Sequence, residues 1–250
     1  MCEVQQYPHG APCWVDTWQP DPGSAREFYR QLFGWKLDRV PGVDSGDYLN
    51  CSLGGQLVAG IGQAPPGTPA VWTVNICVDR LESTIGKIVS ADGRLLVSPV
   101  NVGEEGCIAI ASDRAGAAFA IWEPGRRAGV GLLGVPNTWA MSALHTTDLR
   151  DAERFYGKVF GWDLVRTADP RLCEWRLRGR RVAVATLTDG QAVPVHWAVN
   201  FAAGDVDEFA QQAKALGATL LVAPVSTPGF RSAVIADPQG GVFAISAPRP

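Results

Sequence analysis

The stretch REFYRQLFGW, beginning at Arg26, returns as ERFYGKVFGW beginning at Glu153. Aligned on this phrase, Asp21 meets Asp148, Phe28 meets Phe155, Tyr29 meets Tyr156 and Trp35 meets Trp162. The correspondence runs on. VWTVNI at Val71 meets HWAVNF at His196, LLVSPV at Leu95 meets LLVAPV at Leu220, and SDRAGAAFAI at Ser112 meets ADPQGGVFAI at Ala236. The repeat therefore spans nearly all of the 250 residues. Two copies are too few for a stacked array, so the chain reads as one duplicated, domain-sized unit.

Within each copy the hydrophobic period switches. PCWVDTW alternates as a strand does. Ala25, Phe28, Tyr29, Leu32 and Phe33 then fall on one face of a helix, with Asp21-Pro22 as its start and Gly34 as its stop. The second copy repeats this with Ala152, Phe155, Tyr156, Val159, Phe160 and Gly161. The repeated aromatic pair is thus expected in the core. Strands are expected at Trp35–Val40, Tyr48–Leu53 and Gln56–Ile61, with turns at PGVDSGD and GG. Another strand follows at Val71–Val78, then a helix with Leu81, Ile85, Ile88 and Val89 on one face, then closing strands near Trp122. The pattern is β-α-β-β-β, twice per copy. It places one domain at 10–124, a linker at 125–137 and a second domain at 138–248.

Composition excludes several classes. A net charge of −3 without a basic run argues against nucleic acid. No apolar run reaches the roughly 18 residues of a membrane span, and MCEVQQYPHG has neither the basic nor the apolar region of a secretory signal. The six cysteines (Cys2, Cys13, Cys51, Cys77, Cys107 and Cys173) show no zinc-type spacing and read as reduced thiols of a cytoplasmic protein. The expected partner is a small apolar or aromatic molecule. Monomer and homodimer stay open.

The phrase D…A..FY...FGW, the later DP.G..F.I and the paired βαβββ modules resemble the vicinal oxygen chelate superfamily. Its members include glyoxalase I, bleomycin-resistance proteins, fosfomycin-resistance enzymes and extradiol dioxygenases. The tandem form is similar to an actinobacterial two-domain branch. The resemblance implies an α+β fold of four βαβββ modules, paired into two glyoxalase-like domains with bowl-shaped mixed sheets. It is specific for fold and weak for function, because this fold hosts many activities.

The resemblance also implies where a divalent metal would be held, on strand positions facing the bowl. Carried over, those positions are Trp14 and Met141, Thr73 and Ala198, Ala120 and Ala244. These side chains are poor ligands for such an ion. A slip of one residue turns to the other face of the strand. A slip of two brings in Asp16 or His145, without companion ligands. The expectation is therefore no metal and no cofactor.

Strand parity says what lines the bowls instead. Trp14, Asp16 and Trp18 share one face, with Met141, Ala143 and His145 as counterparts. Thr73 and Asn75 correspond to Ala198 and Asn200, and Trp122 to Ser246. Tyr48 and Trp175 lie on third strands and are placed facing in. Such an aromatic surface with a few polar groups suits drug-sized planar ligands. The candidate ligand contacts are Trp14, Trp18, Tyr48, Thr73, Asn75, Trp122, Met141, Trp175 and Asn200. For Asn75 and Asn200 a shared structural hydrogen bond is the alternative, and Glu123 and Glu174 are expected in solvent. Asp16 between two tryptophans needs a partner or a function. Two readings follow. One is a metal-independent protein that binds or sequesters an apolar natural product. The other is a metal-independent tailoring enzyme (cyclase, isomerase or hydrolase) with Asp16, His145 and His196 as acid-base groups.

Overall fold

The computed structural model describes residues 6–40, 48–227 and 229–248. The turn expected at 41–47 and Cys2 lie outside the described residues. The first half runs β1 (Pro12–Gln19), α1 (Pro22–Phe33), β2 (Lys36–Arg39), β3 (Leu49–Leu53), β4 (Gln56–Gln63), β5 (Val71–Cys77), α2 (Leu81–Ser90), β6 (Arg94–Asn101), β7 (Gly106–Ser112) and β8 (Ala118–Pro124). The second runs β9 (Trp139–Thr146), α3 (Leu149–Phe160), β10 (Trp162–Arg166), β11 (Leu172–Leu177), β12 (Arg180–Leu187), β13 (His196–Ala202), α4 (Val206–Ala215), β14 (Thr219–Thr227), β15 (Phe230–Ala236) and β16 (Val242–Pro248).

Each half forms its own eight-stranded mixed sheet, in the orders β2-β3-β4-β1-β5-β8-β7-β6 and β10-β11-β12-β9-β13-β16-β15-β14. Two βαβββ modules join through the antiparallel pairs β1–β5 and β9–β13, so each bowl is built within one half. The fold is α+β, with open sheets.

The helices start and stop where the sequence indicates. The Asp21 and Asp148 carboxylates each accept two backbone N–H bonds, and Gly34 and Gly161 end their helices at φ 71° and 72°. One face of α2 differs from expectation. Thr84 is buried beside Leu81 and Ile88, and Val89 turns outward. Glu123 is not in solvent either: its Oε2 accepts from the Leu81 N–H at 2.7 Å and supplies the cap that Arg80 does not.

The repeated phrase acts across the halves. The Tyr29 hydroxyl donates to Asp237 at 2.6 Å and accepts from the Trp72 indole at 3.0 Å. Reciprocally, Tyr156 donates to Asp113 at 3.0 Å and accepts from Trp197 at 2.8 Å. Trp35 donates to the Asn137 carbonyl, and Trp162 to that of Gly10. Around these bonds Phe33 packs on Phe201, Phe209 and Phe243, while Phe119 packs on Phe155 and Phe160. The copies thus share one core.

At the outer edges, β6 and β14 carry the repeated apolar LLV(S/A)PV. β6 is exposed throughout and β14 nearly so. Pro99 and Pro224 fall at register shifts and remove a ladder donor, features that protect an edge from pairing with another chain. No helix among the described residues is long and apolar enough to cross a membrane.

Candidate functional site

Alternation along β1 sends Cys13, Val15 and Thr17 to the core and Trp14, Asp16 and Trp18 into the first bowl. Asp16 is 1% exposed. Its Oδ1 accepts from Asn75 Nδ2 and its Oδ2 from the Tyr48 hydroxyl, both at 3.1 Å. Tyr48 in turn accepts from Trp14 Nε1 at 3.0 Å. Burial raises the Asp16 carboxyl to a pKa of about 6, although the bonds from Asn75 and Tyr48 and the charge of Arg127 favour its ionised form. Burial, with the Asp16 charge second, pushes the Tyr48 phenol well above its usual range.

Arg127 was not foreseen. It lies in the segment expected to be only a linker, yet it is buried in the first bowl. Its guanidinium centre sits 4.7 Å from the ring centres of both Trp14 and Trp122, and 5.5 Å from that of Tyr48. Trp122 Nε1 also donates to the Arg127 carbonyl at 2.8 Å. Nη1 of Arg127 reaches Asn50 at 3.2 Å. Beside this assembly is a cavity of about 230 Å³. Asp16, Tyr48, Asn75 and Arg127 form its polar side. Trp18, Trp122 and the valines and isoleucines of β6 and β7 form its apolar side. The Trp18 indole N–H lies close enough to favour the Asp16 carboxylate, but completes no hydrogen bond and is buried. Thr73 pairs with Asp16 across the sheet and is buried.

The second bowl is built differently. Met141, Ala143, His145, His196, Ala198 and Asn200 are all half-buried, whereas Trp14, Asp16, Thr73 and Asn75 in the first half are buried. His145 and His196 pair across β9 and β13, their rings parallel to within 5° at 4.7 Å. Burial, then the neighbouring His196, lowers His145 to a pKa of about 4. His196 Nδ1 donates to the Pro194 carbonyl at 2.7 Å. The expectation that these histidines act with Asp16 does not fit this arrangement, since they lie on the other sheet.

Three further expectations are corrected. Trp175 does not face the bowl: on β11 it alternates with Glu174 and Arg176, and it is fully buried against Tyr156 and Trp162. Asn75 and Asn200 share no common bond, for Asn75 donates to Asp16 whereas Asn200 accepts from Ser246 at 3.1 Å. Glu174 is held by Arg176 and Arg181 rather than by water alone.

The sequence pattern described as "Glyoxalase-like domain" matches residues 141–246. Over its full length the chain is 32% identical to the "Putative glyoxylase CFP32" of Mycobacterium tuberculosis, covering 99% of that protein. The chain belongs to the glyoxalase-like proteins of the vicinal oxygen chelate superfamily. This glyoxalase-like chain is also 31% identical, over 97% of its length and 94% of the relative's, to the "Anthracycline biosynthesis protein DauV" of Streptomyces sp. strain C5. In fold it is similar to the Mn(II)-bound glyoxalase of Novosphingobium aromaticivorans, with a TM-score of 0.65 at 16% identity, covering 95% of this chain and 82% of that one. It is likewise similar to the 2,3-dioxygenase LapB of Pseudomonas sp. KL28, with a TM-score of 0.67 at 13% identity, covering 96% and 94%.

The positions that the resemblance implies for a divalent metal carry side chains that are poor ligands for such an ion. Trp14, Thr73 and Ala120 occupy the implied positions in the first bowl, and Met141, Ala198 and Ala244 those in the second. Among the described residues no three His, Cys, Asp or Glu side chains are grouped to hold an ion. The parallel His145 and His196 rings do not converge on a common point.

Proposed function

We propose that this glyoxalase-like protein binds a planar, apolar natural product in the first bowl, without a metal. The observation that carries the reading is the cavity beside Asp16, with indole and branched aliphatic walls and a buried polar floor. Ligand sites of this kind fix orientation with few polar groups and draw affinity from apolar walls. At about 230 Å³ the cavity takes one or two fused rings of a polycycle. The rest of such a molecule extends over Val97 and Val100 of β6, which line the cavity and stay exposed to solvent. Trp18 supplies a stacking face and a buried N–H awaiting an acceptor. The similarity to a protein named for anthracycline biosynthesis supports a polycyclic aromatic ligand.

The test is a titration of the protein with anthraquinones and anthracyclines, followed by indole fluorescence. Trp18→Ala is expected to weaken binding at least about tenfold, near 1.4 kcal/mol. Unchanged affinity in a folded Trp18→Ala protein sinks the reading.

A second reading is favoured by the raised Asp16 pKa. A carboxyl that titrates near 6 and borders a cavity is suited to take or give a proton at neutral pH. Mass spectrometry of the recovered compound separates the two readings. A returned, unaltered compound supports binding. An altered one, with turnover lost in Asp16→Asn, supports catalysis.

A further inference from the structure

A larger cavity, of about 680 Å³, lies at one end of the second bowl. The start of β9, the hairpin between β11 and β12, the segment at residues 6–12 and Leu133 enclose it. Its walls are apolar: Tyr7, Trp139, Met141, Leu177 and Val182 all line it. Its rim is basic, formed by Arg178, Arg180 and Arg181.

The same place in the first half is occupied. There the segment after β8 crosses the end of the bowl. It donates from Val130 N to Cys13 O and from Gly131 N to Leu57 O, and plants Arg127 over Trp14. Met141 is the counterpart of Trp14, and no described segment crosses above it in that way.

The rim is where the copies diverge in charge. The first copy turns its hairpin with Gly54-Gly55 and continues Gln56-Leu57, whereas the second turns with Arg178-Gly179 and continues Arg180-Arg181. Both residues of each turn have positive φ: 58° and 81° in the first, 50° and 78° in the second. Glycine adopts this conformation freely, and arginine does so only against steric resistance. The second copy therefore holds a cation at a position where folding alone favours glycine. Arg181 shares the Glu174 carboxylate with Arg176. Arg178 and Arg180 have no carboxylate partner among the described residues.

The geometry points to a second ligand site, for an apolar molecule that carries one acidic group. The ring or chain lies against Trp139, Met141 and Val182. The carboxylate, sulfonate or phosphate meets Arg178 and Arg180, which have free donors for it. The volume matches a drug-sized ligand, and junctions between domains are a frequent place for such sites. This inference is independent of the first-bowl reading.

Calorimetric titration with naphthalene-2-sulfonate tests it, with the neutral 2-naphthylmethanol as comparison. The variant Arg178→Gly/Arg180→Gln restores the first copy's residues and relieves the strained turn, so it is expected to fold as well as the parent. One equivalent of sulfonate is expected to bind, at least tenfold more weakly to the variant, while the alcohol changes less than twofold. Trp18→Ala, in the other bowl, is expected to leave sulfonate binding unchanged. Absence of saturable binding overturns the inference, as does equal affinity in the arginine variant. Loss of sulfonate binding in Trp18→Ala instead would place the probe in the first bowl and also overturn it.

Discussion

The two bowls descend from one sequence pattern and share strand order, helix caps and a common core, yet they hold opposite kinds of interior. The first is aromatic and charged at its floor, with Asp16 and Arg127 both buried. The second is open, with two stacked histidines and half-buried small side chains. The shared side of each sheet is tied by reciprocal Tyr–Asp bonds, so change there breaks two partners at once. The concave sides answer to no such partner. Divergence has gone where it is structurally inexpensive, and there it has changed chemistry.

The difference is sharpest in its pH dependence. Asp16 keeps its proton in the folded chain up to about pH 6, while an unfolded aspartate releases it near pH 4. Between those values the folded state binds more protons, so stability falls as pH rises. Roughly 3 kcal/mol present below pH 4 is lost above pH 6. Denaturant unfolding from pH 4 to 7.5 is expected to show that decline, and Asp16→Asn to remove it. A parent protein with no such decline would mean that Asp16 is solvated.

Removing the guanidinium from between two indoles comes next. Arg127→Ala is expected to cost about 2–3 kcal/mol, from lost cation–π contact and an unfilled slot, lowering Tm by roughly 5–10 °C. Met141→Ala in the open bowl is expected to cost about 1 kcal/mol or less. Equal losses in calorimetry would break the contrast between a filled and an open bowl.

The pH effect in the second bowl has the opposite sign to the first. His145 protonates near pH 4 in the folded chain and near 6.5 unfolded, so its neutral ring stabilises the fold above pH 6.5. That contribution fades as pH falls toward 4. Partial exposure limits it to about 1–2 kcal/mol. His145→Gln is therefore expected to lessen the loss of stability on acidification, whereas Asp16→Asn acts on a loss that develops as pH rises. Parallel shifts in the two variants would contradict the assigned environments.

Much of this was legible in residue order. The face of α1 follows from spacing alone, and alternation along β1 correctly sets Trp14, Asp16 and Trp18 on one side. Trp175 was misplaced although the signal was present, since Glu174 and Arg176 on either side of it mark the other face of β11. Val89 was misplaced because the buried face of α2 turns toward Thr84, whose hydroxyl bonds back to Arg80. Arg127 left no local signal. It acts from an irregular segment through contacts with residues far away in sequence, which periodicity does not encode. The change from Gly54 to Arg178 was visible in the aligned copies, but its meaning needs the positive φ and the cavity beside it.

The segment that delivers Arg127 has a consequence for symmetry. Two copies joined in tandem have two concave faces but a single junction between them. Whatever that junction covers, it covers once. A pair of identical domains so joined is unequal from the moment of duplication, before any substitution. The arginine at the junction and the arginines at the facing hairpin then read as later elaborations of an inequality that chain connectivity had already imposed.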